Sequence, residues 1–175
     1  MAEIDFEASA ITLRTRAKGL LAKLAHDLEL EARRFEGSVE LDGSAWTARL
    51  AFPVRDLHVV GSLRGERVER NVLSSADRAE IERRIRDDVL TVDKVEVSLT
   101  GTSRAGGEAH VRVGRGEQRV RFSMTTEERR DGELVSHGAV NVSLSTLGIA
   151  EIKGPLGAFK VNDSVEVLFW LMLRP

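Results

Sequence analysis

The sequence predicts a mainly β protein whose antiparallel strands close, or nearly close, on themselves, with one covering helix. Three observations carry this. First, several stretches alternate apolar and polar residues with a period of two. Trp46, Ala48, Leu50 and Phe52 share one face and Thr47, Arg49 and Ala51 the other; Val95, Val97 and Leu99 alternate with Lys94, Glu96 and Ser98; Val120, Phe122 and Met124 alternate with Arg119, Arg121 and Ser123. Successive strand side chains point to opposite faces, so each stretch offers one oily and one wet face. Second, Asp42-Gly43, Gly106-Gly107, Gly114-Arg115-Gly116 and Asp131-Gly132 punctuate these stretches at hairpin intervals. Third, one stretch, Ser75 to Val89, has convincing helical spacing. Many strands with one oily face solve their edge problem by curling into a barrel.

Taken in order, Ile4 to Phe6 reads as a short strand, and Ile11, Leu13 and Thr15 as one face of a second. Ala17 to Ala25 is expected to be a turn of helix or an irregular loop, since Leu20, Leu21 and Leu24 have helical spacing but Gly19 interrupts it. From His26 a strand resumes, with Leu28, Leu30 and Ala32 inward and Asp27, Glu29, Glu31 and Arg33 outward. The phase shifts at Gly37, as at a bulge, and Val39 and Leu41 continue the inner face. Asp42-Gly43 turns the chain into a return strand, Ala45 to Val54, which Pro53 ends or places at an edge. Val60 to Ser75 reads as a charged connection.

The helix follows. Ser74 and Asp77 fit a capping signature, and Ile81, Ile85 and Val89 form an apolar stripe. Glu80 with Arg84, and Glu82 with Arg86, have i, i+4 spacing worth ~0.2–0.5 kcal/mol each. The narrow stripe predicts a surface helix covering one mouth or edge of the barrel. Strands then follow at Lys94–Thr100, Glu108–Val113, Gln118–Thr126 and Leu134–Leu144, for which up-and-down connection is the simplest topology. Leu147 to Phe159 is a Gly-rich closing loop, and Lys160 to Leu173 a last, long strand. Here Val165, Val167, Phe169, Leu171 and Leu173 line one face and Leu168, Trp170 and Met172 the other. A strand apolar on both faces is covered on both. Cover for the second face comes either from this chain or from a homodimer through Leu168, Trp170 and Met172.

Length and composition narrow the function. A chain of 175 residues, 42% hydrophobic, suits one domain with a real core. Aromatics are 5% and tyrosine is absent, so the interior is aliphatic and suits either a smooth apolar guest or ordinary packing. A net charge of −2 argues against a nucleic-acid partner. With no cysteine, thiolate chemistry and Cys-based zinc sites are excluded. The acidic start lacks a signal-peptide pattern, and the apolar run Val167–Leu173 falls far short of the ~20 residues a membrane helix needs. The expectation is a soluble, cytoplasmic protein.

Nothing in the sequence signals a catalytic residue, a metal site or a cofactor. No two histidines have i, i+2 or i, i+4 spacing, no serine sits in a nucleophile elbow, and Gly61–Gly65 does not form a phosphate loop. His26 and Asp27 are neighbours on a strand and point apart. His26, in phase with Leu28 and Leu30, is expected to point inward. It reads more readily as a hydrogen-bonded core residue than as a catalyst, with a polar contact to a ligand head group as its functional alternative.

Taken in order, Phe35-Glu36-Gly37, Asp77-Arg78 through Asp88-Val89-Leu90, Leu147-Gly148-Ile149 and the run from Gly157 to Asp163 resemble the YceI-like family of bacterial polyisoprenoid-binding barrels. Phe35-Glu36-Gly37 is similar to its phenylalanine–glycine step into the second strand. Asp77-Arg78 through Asp88-Val89-Leu90 is similar to its helix, followed by strand entry at Val92 to Val97. Leu147-Gly148-Ile149 and Gly157-Ala158-Phe159-Lys160-Val161-Asn162-Asp163 are similar to its closing loop and final strand entry, and His26-Asp27-Leu28 to a variant of its histidine segment. The resemblance spans nearly the whole chain as a single domain, residues 1–175. It implies a lipocalin-like eight-stranded antiparallel β-barrel holding a long apolar lipid, of isoprenoid or fatty-acid type, without an enzymatic reaction. Strand phase then assigns the lining to Leu28, Leu30, Leu41, Trp46, Leu50, Phe52, Val97, Val111, Phe122, Val140, Val142 and Phe169, with His26 as the polar contact. A filled barrel acting as an interaction module is the alternative, and a lipocalin-like cyclase or isomerase a more distant one.

Overall fold

The structure, a computed structural model, describes residues 2–19 and 25–175. The strands are β1 (Glu3–Ile4), β2 (Ala10–Thr15), β3 (Ala17–Lys18), β4 (Asp27–Ala32), β5 (Glu36–Asp42), β6 (Ala45–Pro53), β7 (Leu57–Arg64), β8 (Arg67–Glu69), β9 (Lys94–Ser103), β10 (Gly106–Val113), β11 (Gly116–Glu128), β12 (Leu134–Ser143), β13 (Lys160–Val161) and β14 (Ser164–Arg174). Helix α1 (Ser75–Arg84) runs into a widened turn, Ile85–Val89. The helical spacing of Leu20, Leu21 and Leu24 lies outside the described residues, while Ala17–Lys18 is extended and pairs with β13.

One antiparallel sheet runs in the order β5-β6-β9-β10-β11-β12-β14-β2-β4-β7-β8. Its curl is completed at one end by β1. This short strand pairs with β14 through Glu3↔Arg174 and Ile4↔Leu173, and Ala2 bridges to Val39 of β5. Strands β5, β6, β9, β10, β11, β12, β14 and β1 thereby form a ring. From β14 a second arm, β2-β4-β7-β8, departs through pairs such as Val167↔Leu13. The fold is a lipocalin-like antiparallel barrel with one helix, and the second arm takes the strand number beyond the expected eight. The hairpins between β9 and β12 are up-and-down as expected. Before them the connections are mixed: β5–β6 and β7–β8 are hairpins, whereas β4 pairs with β7 and β6 with β9, crossings that local sequence does not encode.

Val60 to Ser75 corrects an expectation. It is not a plain connection: Leu57–Arg64 is a strand, and Arg67–Glu69 returns beside it. Two effects hide β7 from a period-two reading. The register slips between Glu29↔Gly61 and Leu30↔Val59, which leaves Val60 as an extra residue. The strand is also buried on both faces from Val59 to Leu63.

Helix α1 packs against β7. Its N-terminus carries the expected capping box: Asp77 N–H donates to Ser74 Oγ at 3.1 Å, and Ser74 N–H donates to Asp77 Oδ2 at 2.9 Å. Arg84 pairs with Glu80 at 3.0 Å, as the spacing predicts. Glu82 does not pair with Arg86. Its Oε1 accepts the Val59 N–H at 2.9 Å and its Oε2 lies 3.3 Å from His58 Nδ1, so it ties the helix to β7 beside the register slip. Ile81 and Ile85 pack on buried Leu30, Val59 and Leu73.

The acidic groups of this helix carry a pH dependence. The Ser74 hydroxyl, then the Ser74 N–H, hold the Asp77 carboxyl below its ordinary range. Hydrogen bonds from Arg83 and Arg84 push Glu80 down to about 2. A carboxyl depressed in the folded state stabilises it above the unfolded-state pKa and loses that contribution as pH falls through the folded value. Protection of the α1 amides, corrected for intrinsic exchange, is therefore expected to be constant near neutrality and to fall from about pH 5 to about pH 2. In Ser74→Ala, which costs about 1 kcal/mol of helix stability, protection is lower throughout. Flat protection across that range would remove the capping account.

The last strand is apolar on both faces, but not uniformly covered. Met172 is buried, and the turn after β1 runs alongside it: Asp5 N–H donates to the Met172 carbonyl at 2.9 Å, and the Met172 N–H donates to Ser9 Oγ at 3.0 Å. Of the two alternatives read from the sequence, cover from this chain is the one found at Met172. Leu168 is half-buried. Trp170 is exposed and stacks on His137 at 5.1 Å, its register partner on β12.

Candidate functional site

The inner faces of the strands enclose a cavity of about 390 Å³. Its wall follows from strand phase. On β5 and β6, Val39, Leu41, Trp46, Ala48, Leu50 and Phe52 reach it; on β9 and β10, Val95, Val97, Leu99, Ala109, Val111 and Val113. Register explains the continuity. Leu50 lies opposite Val97, which lies opposite Val111, so one row crosses three strands on the same face. On β11, β12 and β14 the wall is Val120, Phe122, Val140, Val142, Val167 and Phe169. The second arm adds Leu13, Leu28 and Leu30.

Helix α1 and the widened turn form a cover: Ile81, Arg84, Ile85 and Val89 all reach the cavity. This is the apolar stripe read from the sequence, now facing the lumen. From the closing loop, Leu147, Ile149 and Ile152 reach it too.

Of the residues singled out in the sequence, Leu28, Leu30, Leu41, Trp46, Leu50, Phe52, Val97, Val111, Phe122, Val140, Val142 and Phe169 stand on this wall. His26 does not, which corrects its expected inward position. It precedes the first residue of β4 and is exposed, so the alternation that turns Leu28 inward does not extend back to it. It lies instead toward Asp77 at the start of α1.

Aromatic rings organise the cavity toward the hairpin end. Trp46 and Phe122 have ring centroids 6.2 Å apart, and Phe122 meets Phe169 edge-on at 5.7 Å. Trp46 Nε1–H donates to the Ser103 carbonyl at 2.9 Å, so the indole keeps its polar edge satisfied while its rings face the lumen. A second set, Phe6 with Phe35 at 5.1 Å and Phe35 with Phe52 at 5.4 Å, packs around buried Phe35.

Among the described residues, polar side chains on the wall are few: Thr15, Arg84, Arg104, Thr126 and Ser136. Thr15 shares its face with Ile11 and Leu13, as the sequence predicts; sequence reasoning missed the other four. Thr126 was legible, because it continues the inner phase of Phe122 and Met124. Arg104 was not, because it sits in the turn between β9 and β10, where no period applies. Among the described residues, no group of three or more His, Asp or Glu side chains is placed to hold a metal ion. No helix among them is long and apolar enough to cross a membrane.

No family model and no curated protein sequence matches the chain. Solved structures do share its fold. Burkholderia cenocepacia BcnA superposes with a TM-score of 0.67 at 12% identity, over 97% of this chain and 99% of that one. A polyisoprenoid binding domain from Saccharophagus degradans, implicated in plant cell wall breakdown, superposes with a TM-score of 0.67 at 9% identity, over 99% of this chain and 97% of that one. The fold implied by the resemblance to the YceI-like family is the fold found.

Proposed function

We propose that this protein binds an apolar lipid chain, of isoprenoid or fatty-acid type, non-covalently inside the barrel and releases it unchanged, as a carrier or store. The observation that carries the reading is the cavity of about 390 Å³ with an almost wholly aliphatic and aromatic wall. Burying a hydrocarbon there is worth ~0.8 kcal/mol per methylene before the costs of association. A cavity of about 150 Å³ holds one benzene, so this one holds a chain on the order of fifteen carbon atoms. The description of the Saccharophagus degradans domain as polyisoprenoid binding supports the same class of guest. A non-enzymatic role is supported by the chemistry of the wall, where the Thr126 and Ser136 hydroxyls are engaged with each other at 3.0 Å and His26 stands outside.

The test combines organic extraction and mass spectrometry of purified protein with titration by farnesol and hexadecanol. Trp46 on the wall supplies the signal once Trp170→Phe removes the exposed indole. A saturable change in Trp46 emission with either alcohol is expected. No co-purifying lipid and no uptake of either chain would overturn the proposal.

A further inference from the structure

The polar residues on the cavity wall are not scattered evenly. Thr126 and Ser136 are register partners across β11 and β12, with hydroxyls 3.0 Å apart and Ser136 buried. Thr126 Oγ1 also donates to the Arg104 carbonyl at 2.9 Å, which fixes the β9–β10 turn against them. Arg104, Thr126 and Ser136 thus gather at one end of an otherwise apolar lumen.

The two arginines on the wall differ in what already holds them. Arg84 Nε donates to Glu80 Oε1 at 3.0 Å, so that guanidinium is engaged on the helix surface. The carboxylate facing Arg104, Glu128, is 3.6 Å from Nη1, beyond hydrogen-bond length, and among the described residues the Arg104 guanidinium makes no hydrogen bond. Its side chain is 48% exposed, so its charge stays hydrated and costs little to hold at the rim. A guanidinium offers a planar fork of donors that matches the oxygens of a carboxylate or phosphate.

Resting on the lipid-binding reading of the cavity, we infer that the guest is an anionic amphiphile. Its chain lies along the apolar wall and its terminal carboxylate or phosphate meets Arg104, with the Thr126 and Ser136 hydroxyls just inside. Glu128 is the built-in competitor for the same guanidinium.

The experiment compares chains that differ only at the terminus: hexadecanoic acid against hexadecanol, and farnesyl phosphate against farnesol, at low ionic strength and neutral pH. The anionic form is expected to bind at least about fivefold tighter in one pair or both, as one charge-assisted contact allows. The pair that shows the preference identifies the terminus as carboxylate or phosphate. In Arg104→Gln the anion-to-alcohol ratio falls to about one, and in Glu128→Gln it widens. Equal binding of anion and alcohol, or a preference that survives in Arg104→Gln, overturns the inference while leaving the cavity reading standing. Failure of the alcohols and the anions alike overturns both.

Discussion

Val97→Phe combined with Val140→Phe is expected to lower the affinity for hexadecanol or farnesol at least about tenfold while moving the melting temperature by only a few degrees. Both valines stand on the cavity wall and are half-buried, although their strands are interior members of the sheet. Their remaining exposure is to the lumen. Val97 sits in register with Leu50 and Val111, and Val140 with Val167, so added rings project into the space a chain would occupy. Overpacking costs ~1–3 kcal/mol where neighbours already fill the volume. At a void the added atoms gain contacts instead. Val111→Phe is the control, because Val111 is buried within a cluster containing Ala109, Val113 and Val142. The expected contrast is two rings that stabilise or leave neutral while blocking uptake, and one that destabilises. Titration and thermal unfolding of the same samples check it; undiminished uptake by the double variant would place the lipid outside this lumen.

The contrast between those positions shows what was legible in the sequence. Alternation reports which side of a strand a residue occupies; in β6, β9 and β11 it does so without interruption, and in β14 the start Val165, Glu166, Val167 sets the phase that reaches Phe169. Val97 and Phe169 could therefore be assigned to one interior before any partner strand was known. The same signal fails where the backbone departs from a regular ladder. His26 was extrapolated inward from Leu28, yet the strand begins at Asp27. In β7 the extra residue Val60 breaks the phase, and burial on both faces removes the polar partner that alternation needs. Pairing is a further kind of information: nothing near Ala45 or Lys94 states that β6 will lie beside β9. The polar end of the lumen combines both gaps, since Arg104 in its turn meets Thr126 only through tertiary pairing. Glu82 was assigned by helical spacing to Arg86, and the unfilled N–H of Val59 on another element claimed it.

Gly138→Ala is expected to cost about 2–3 kcal/mol of stability and to disturb the lumen as well. Gly138 lies on the inner face of β12, opposite Phe169 on β14 and Met124 on β11. A Cβ there would stand 2.6 Å from the Ser123 carbonyl oxygen and 2.7 Å from Phe169 Cζ. The absent side chain is what lets the Phe169 ring lie down across β12 and meet Phe122 edge-on. The two clashes differ in kind. The ring can rotate, at the expense of the edge contact and by swinging into the cavity. The carbonyl belongs to the β11 ladder and can move only if β11 and β12 part locally. Phe169→Leu, which removes the ring, should therefore recover part of the loss in the double variant, and the carbonyl contact should keep the remainder. Urea midpoints of the four proteins give the coupling, expected to be on the order of 1 kcal/mol for residues in direct contact. A coupling near zero would assign the whole cost to the backbone, and Phe169 would then owe its place on the wall to something other than the gap at Gly138.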